Sequence, residues 1–352
     1  MDIDILVIGQ GIAGSFLSYY LQRSGRSLVI VDESKLNTAS KAAAGIINPV
    51  TGRRIVKTWM IDELLEFAKI AYSEIGKELH IQCISEHKII DFFPSPQIRN
   101  AFTDRFHEDK GYVKLAEIEN EWREAFTYDF GFGEIEPVYL IELSALLAAF
   151  RTKMISANCL LDEKLDFQEL VIGEDKIRYK DIRADKIIFC DGTGSLDNPY
   201  FRNLPFAANK GEALVVELER SPGGDIYKKG INLVPWKEDL FWVGSSYEWG
   251  FSDDQPSEAF RLQTESILRQ WLKIPFKVVG HLASIRPATL ERRPFVGFHP
   301  INRNIGILNG MGTKGCSLAP YFAKQLVESI NFPSILLPEV DIQRFNRILT
   351  RQ

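Results

Sequence analysis

The stretch Ile5-Leu6-Val7-Ile8-Gly9-Gln10-Gly11-Ile12-Ala13-Gly14, followed eighteen residues after Gly14 by Asp32, decides the fold. The apolar run reads as a buried strand. The three glycines carry the chain through a turn too tight for side chains and let the backbone approach a diphosphate. A helix-like stretch follows, Ser15 to Ser24, ended by Gly25. Its free N–H groups and positive dipole end face that anion. Asp32 closes a second apolar run, Leu28 to Val31, where a carboxylate accepts hydrogen bonds from the hydroxyls of an adenosine ribose. A 2′-phosphate there would meet a like charge, so NADP is disfavoured. The pattern predicts a dinucleotide-binding βαβ unit.

The bulk composition narrows the class. The 352 residues suffice for two domains or for one large domain with an insertion. A hydrophobic content of 45% and a charged content of 25% are those of an ordinary globular protein. The net charge of −5 argues against a nucleic-acid-binding surface. Cys83, Cys159, Cys190 and Cys316 lie too far apart for a metal knuckle or a disulfide framework, which suits a reducing cytoplasm. The scattered histidines show no metal-ligand spacing, so no metal is expected. No apolar stretch has spanning length, and the first apolar run is a strand rather than a signal peptide.

Further along, apolar positions at 61, 64, 65, 68, 71 and 72 predict a helix over 60–79. Residues 80–136 show short alternating runs without a clean period. A second helix is expected over 141–155. Short strands follow at 160–161, 165–167, 170–172 and 177–179, and then a buried strand from Ala184 into the turn Asp191-Gly192-Thr193-Gly194. Two β runs, 213–217 and 240–243, precede an amphipathic helix over 257–272 with Ser257 at its start. A strand from Ile305 to Asn309 enters Gly310-Met311-Gly312-Thr313-Lys314-Gly315, and a closing helix spans about 317–330.

Five motifs taken together resemble the D-amino-acid-oxidase-like family of FAD-dependent oxidoreductases. That family includes glycine and sarcosine oxidases and the oxidase module of the enzyme that matures 5-methylaminomethyl-2-thiouridine in tRNA. The first is the glycine turn with Asp32, and the second is Ala39-Ser40-Lys41-Ala42-Ala43-Ala44-Gly45. The third is the strand and turn from Ala184 to Gly194. The fourth is Ile285-Arg286-Pro287-Ala288-Thr289 with Arg293-Pro294-Phe295-Val296-Gly297. The fifth runs from Gly310 to Gly315 and on through Ala319-Pro320. The resemblance implies an α/β fold (α+β overall), glycine-oxidase-like, in which a second, β-rich substrate domain is inserted into an FAD-binding Rossmann-like domain. Residues 1–85, 140–205 and 281–352 would form the FAD-binding part, and 86–139 with 206–280 the substrate-binding part.

The resemblance also assigns roles. Gly9, Gly11, Ile12, Ala13 and Gly14 would hold the pyrophosphate of a non-covalent FAD, and Asp32 the ribose. Ser40, Lys41, Ala44 and Gly45 would line the pyrophosphate and the inner edge of the flavin, with Leu165, Asp191 and Gly192 beside the nucleotide. Gly312, Thr313, Lys314 and Gly315 would present N–H groups and a cation to the flavin N1 and C2 oxygen, where reduction places negative charge. Arg286 would pair with a substrate carboxylate through its planar fork. Several family members carry a tyrosine where this chain has Asn232, and an amide can still donate a hydrogen bond to that carboxylate. Ser40 could instead cap the next turn, Lys314 lie solvated and Arg286 pair with a structural acid. Trp236, Tyr247 and Trp249 could wall the pocket, but as aromatic residues in β segments they read more readily as core.

The implied activity is oxidation of a primary or secondary amine that carries a carboxylate. Hydride transfer to flavin gives an imine, with reoxidation by O2 or another acceptor. A homo-oligomer is compatible with this reading. The alternative is the same chemistry on a carboxymethylaminomethyl uridine of tRNA. Gly45-Ile46-Ile47-Asn48-Pro49 and the Gly312 to Gly315 turn lean that way; the negative net charge and the want of an accompanying methyltransferase module lean against it. Filter binding to tRNA separates the two.

Overall fold

A computed structural model describes every residue except 53, 109–110, 117–120, 238, 333–335 and 351–352. Two large sheets organise the chain. In the first, five strands run parallel in the spatial order Ile305–Asn309, Ile182–Phe189, Asp2–Ile8, Leu28–Val31 and Leu160–Leu161. Leu170–Ile172 and Ile177–Tyr179 extend this sheet in antiparallel fashion, and Phe295–Phe298 pairs antiparallel with Ile305–Asn309. Strands buried on both faces need continuous apolar runs, and Leu28–Val31 and Ile305–Asn309 are buried along their whole length. One face packs under the helices Ile12–Arg23, Ile61–Leu79, Leu143–Ser156 and Gly315–Ser329, around Phe16, Tyr72, Phe150 and Phe322. Leu6, Ile187, Phe189 and Ile307 fill the other face.

The second sheet is mostly antiparallel. Its order is Phe276–Arg286, Asn209–Leu218, Leu240–Gly244, Ile231–Pro235, Ile226–Lys229, Ile84–Phe92, Phe132–Ile141 and Ile46–Ile47. Alternation sorts its side chains. Leu214, Val216, Leu233, Phe241 and Val243 pack with Leu268 and Trp271 of the helix Glu258–Trp271. Ala213, Ile226, Val234 and Trp242 point the other way, toward Ala44 and Val50. The helix begins where Ser257 accepts a hydrogen bond from Phe260 N, the capping that its sequence announces.

The first helix starts at Ile12, inside the glycine motif rather than at Ser15. The expected strand at 165–167 is a loop, because Leu165-Asp166-Phe167 has no partner strand. Ile141 ends a strand instead of opening a helix. Residues 80–136, which lacked a readable period, hold the strand Ile84–Phe92, the helix Pro96–Glu108 and the strand Val113–Leu115. The strand Phe276–Arg286 runs unbroken across position 281, so Arg286 belongs to the second sheet. No helix among the described residues is long and apolar enough to cross a membrane.

Candidate functional site

The five parallel strands finish at one edge, and the expected cofactor residues lie just beyond their carboxyl ends. Gly9 follows Ile8, Asp32 follows Val31, Leu165 lies four residues past Leu161, Asp191 lies two past Phe189, and Gly310 follows Asn309. In an open parallel sheet this edge is where a nucleotide binds, above the strand from which the order runs both ways. Here that strand is Asp2–Ile8, flanked by Ile182–Phe189 and Leu28–Val31.

The first glycine corner is built by close approach. Gly9 has φ +96°, and a Cβ there would stand 2.6 Å from the Cys190 carbonyl oxygen. A Cβ on Gly14 would stand 1.9 Å from the Gly9 carbonyl oxygen. Only hydrogen fits at either place. No side chain caps the helix at Gly11. Ile12 N donates to Ser40 Oγ at 3.1 Å, while among the described residues the N–H groups of Ala13 and Gly14 have no partner. An anion is the partner such a helix end suits.

Asp32 is firmly held. Its carboxylate accepts from Gln10 N at 2.8 Å, Ser34 N at 2.9 Å and Arg151 Nη1 at 2.7 Å. A carboxylate offers about four lone-pair sites, so roughly one remains for an outside donor. Arg151, on the helix Leu143–Ser156, also pairs with Asp162 at 2.7 Å. Nothing in the sequence announced Arg151, because 119 residues separate it from Asp32.

Ser40 does not cap its own turn. Thr38 is the residue at the start of the helix Ala39–Ala42, and Ser40 Oγ instead reaches back to the first corner. The Lys41 ammonium donates to the Ser34 and Lys35 carbonyls, at 3.2 and 2.8 Å, and burial pulls its pKa down. Lys41 thus folds over the loop after Asp32. Ala44 is buried, and Trp242 Nε1 donates to the Ala42 carbonyl at 3.0 Å, which joins the second sheet to this small-residue run. Asp191 accepts from the Ser195 hydroxyl and from Asn309 Nδ2, the latter at 3.3 Å. Burial nevertheless pushes its carboxyl up to about 6. Gly192, at φ +57°, follows it, and its carbonyl accepts from Asn309 Nδ2 at 2.8 Å.

The second corner, Gly310 to Gly315, meets the first. A Cβ on Gly315 would lie 3.4 Å from Ile12 Cγ2. Gly312 has φ +53°, Thr313 is exposed, and no side chain caps the turn Gly312–Lys314. The Lys314 ammonium has no hydrogen-bond or ion-pair partner among the described residues, and burial pulls its pKa down to about 8. By accessible surface the residue as a whole is half-buried. Cys316, the second residue of the closing helix, is buried, and its thiol is pushed up to about 12.

Arg286 stands at the end of its strand on the second sheet. Nη1 donates to Asn209 Oδ1 at 2.9 Å and to the Ser246 carbonyl at 3.2 Å, and Nη2 donates to Ser245 Oγ at 2.8 Å. The guanidinium lies flat over Gly211, where a Cβ would fall 1.8 Å from Nη2. All three partners are neutral, and no acid pairs with Arg286 among the described residues. The structural ion pair is thereby ruled out for those residues. Asn232, two strands from Asn209–Leu218, has Nδ2 bound to the Gly244 carbonyl at 3.2 Å. Asn209, Gly211, Ser245 and Ser246 were missed, since small and polar residues in strands and loops carry no distinguishing signal.

The aromatic residues divide. Trp236 packs partly buried against the apolar face, as expected of core. Tyr247 and Trp249, expected in the core, are 50% and 55% exposed, because they lie in the loop beyond Gly244 rather than in a strand. His281 faces Glu212 at 2.9 Å, and His299 Nδ1 accepts from Ile301 N and Asn302 N.

Comparison with known proteins places this geometry. Residues 4–329 match the family model for FAD dependent oxidoreductases (DAO). The chain is similar to glycine oxidase of Bacillus subtilis, at 24% identity over 90% of both chains. It is also similar to glycine oxidase of Pseudomonas aeruginosa, at 21% identity over 93% of this chain and 94% of that one. In fold it resembles the crystal structure of glycine oxidase from Geobacillus kaustophilus, with a TM-score of 0.79, 17% identity and coverage of 100% and 99%. It likewise resembles iminodiacetate oxidase from Chelativorans sp. BNC1, with a TM-score of 0.77, 18% identity and coverage of 97% and 98%.

Proposed function

The chain belongs to the family of FAD dependent oxidoreductases (DAO), and on that premise we propose that it oxidises an amine bearing a carboxylate, an amino acid or N-substituted glycine. The observation that carries this reading is Arg286, a half-buried guanidinium held in place by neutral groups alone. A buried charge is costly without a counter-ion. A substrate carboxylate supplies one, in the geometry that a planar fork favours.

The residues present fit FAD. The N–H groups of Ala13 and Gly14 suit its pyrophosphate, and the glycine cradle leaves room for close approach. The free acceptor site on Asp32 suits a ribose hydroxyl, and Lys314 with the uncapped turn before it suits the electron-rich edge of the flavin. Cys316 offers no thiolate at neutral pH, so we take the cofactor to be held non-covalently. The four free cysteines suit a cytoplasmic enzyme.

When bound, FAD supplies the acceptor for a hydride from the substrate carbon, leaving an imine that water hydrolyses, with O2 or another acceptor completing the cycle. The chain does the positioning. Asn209, Ser245 and Ser246 fix the plane of the Arg286 fork, so a carboxylate docks in one orientation. Trp242, bonded to the Ala42 carbonyl, holds the substrate sheet against the small-residue run that would border the flavin. Lys314 and the N-terminus of the helix behind it would stand ready to oppose negative charge on a bound flavin. Anaerobic mixing with a panel of amino acids and N-substituted glycines tests the reading. At least one carboxylate-bearing amine is expected to bleach the flavin; bleaching by none, or only by amines without a carboxylate, overturns it.

A further inference from the structure

Two large rings stand exposed next to the anchor. Tyr247 and Trp249 are about half exposed, with centroids 5.2 Å apart in an edge-to-face arrangement. The Arg286 guanidinium carbon lies 5.8 Å from the Tyr247 ring centroid, and its nitrogens bind Ser245 and Ser246 directly before it in the chain. Isolated apolar side chains on a surface are common, but a contiguous aromatic pair beside a functional cation marks a contact surface.

The pair is also pre-organised. Ser246 N donates to the Glu212 carbonyl at 3.1 Å, and Ser246 Oγ accepts from Glu212 N at 2.8 Å. Glu248 exchanges two backbone hydrogen bonds with Lys210, at 2.9 and 3.0 Å. Glu248 is therefore stitched to the sheet edge, and residues 247 and 249, one to either side of it, project together. Asn232, short and turned onto the Gly244 carbonyl, adds no bulk of its own beside this loop.

We propose that Tyr247 and Trp249 form the subsite for the substituent of the substrate, and that this substituent is a planar aromatic group. The proposal rests on the carboxylate anchor argued above. With the carboxylate on Arg286, a group reaching past Ser245 meets an edge-to-face ring pair whose backbone is fixed before binding. Stacking there gains affinity without the entropic cost of ordering a loop.

Calorimetric titration of the FAD-loaded protein with acetate and with phenylacetate separates anchor from subsite, since the two probes differ only in the ring. Phenylacetate is expected to bind at least tenfold more tightly. Trp249→Ala and Tyr247→Ala should each cut that ratio severalfold and together bring it near one, whereas Trp249→Phe, which keeps a ring, should retain most of it. Arg286→Met should weaken both probes. Equal affinities in the unmodified protein, or a ratio indifferent to the alanine variants, overturns the aromatic subsite while leaving the anchor standing. Failure of both carboxylates to bind removes the anchor and the subsite together.

Discussion

The two ends of the candidate site treat charge in opposite ways. At the Asp32 end, the carboxylate is met by Arg151 and two backbone N–H groups, and Arg151 in turn by Asp162. At the other end, Arg286 and Lys314 are cations without an acid beside them among the described residues. A balanced site positions neutral hydroxyls without attracting an ion. An unbalanced one is built to be completed by an anion. The site thus carries a recognition end on the first sheet and a reactive end that draws Arg286 from the second, and the sign of the uncompensated charge tells them apart.

The feature common to both ends is the glycine corner, and breaking it has the largest expected effect. Gly14→Ala puts a methyl 1.9 Å from a backbone oxygen that cannot move without the strand. Flavin absorbance per protein should fall to less than about a tenth of its normal value, if the protein folds at all. Gly11→Ala meets only the Ser40 side chain at 3.1 Å, and should keep most of its flavin. Equal losses would show that the corner is not held by the contact at Gly14.

Next in size comes the unbalanced end. Arg286→Ala removes charge-assisted hydrogen bonds worth roughly 1.5–3 kcal/mol each, so kcat/KM for a carboxylate-bearing amine should drop about a hundredfold or more. FAD affinity should change far less. Arg286→Lys keeps the charge but loses the fork, and should recover only part of the activity. At the balanced end, Asp32→Ala should raise the FAD Kd by about tenfold, the worth of one or two hydrogen bonds to ribose. Unchanged FAD affinity would remove Asp32 from the ribose role and dissolve the contrast between the ends.

Much of this was legible in the sequence where local chemistry dictates it. The apolar run before Gly9 and the small residues at Gly310 to Gly315 are set by neighbours a few positions away, so both corners were readable. Ser257 likewise announced its helix. What brings residues together through the second sheet was not legible. Gly211 seats Arg286, Asn209 orients it and Arg151 braces Asp32, all through separations of 75 to 119 residues along the chain. Tyr247 and Trp249 were misplaced for a related reason. Aromatic residues favour strands, and only the end of the strand at Gly244 leaves them outside the core.

The smallest expected effect concerns Lys314, and it tests whether the reactive end truly lacks an anion of its own. Burial lowers its folded pKa to about 8 from an ordinary 10.5. Between those values the unfolded chain binds a proton that the folded chain does not, so stability attributable to this group rises with pH from about 8 to 10.5. Below pH 8 the fold carries the ammonium at a cost of up to about 3 kcal/mol, with part of that relieved by water. Lys314→Met should therefore be more stable than the parent at pH 7, and the difference should shrink as pH rises toward 10.5, as read from denaturant midpoints at each pH. Reducing the bound flavin places negative charge within the cofactor, and if Lys314 faces it the advantage of the methionine at pH 7 should vanish. A stability difference that ignores both pH and flavin reduction would mean that Lys314 is compensated after all, and the asymmetry between the two ends would rest on Arg286 alone.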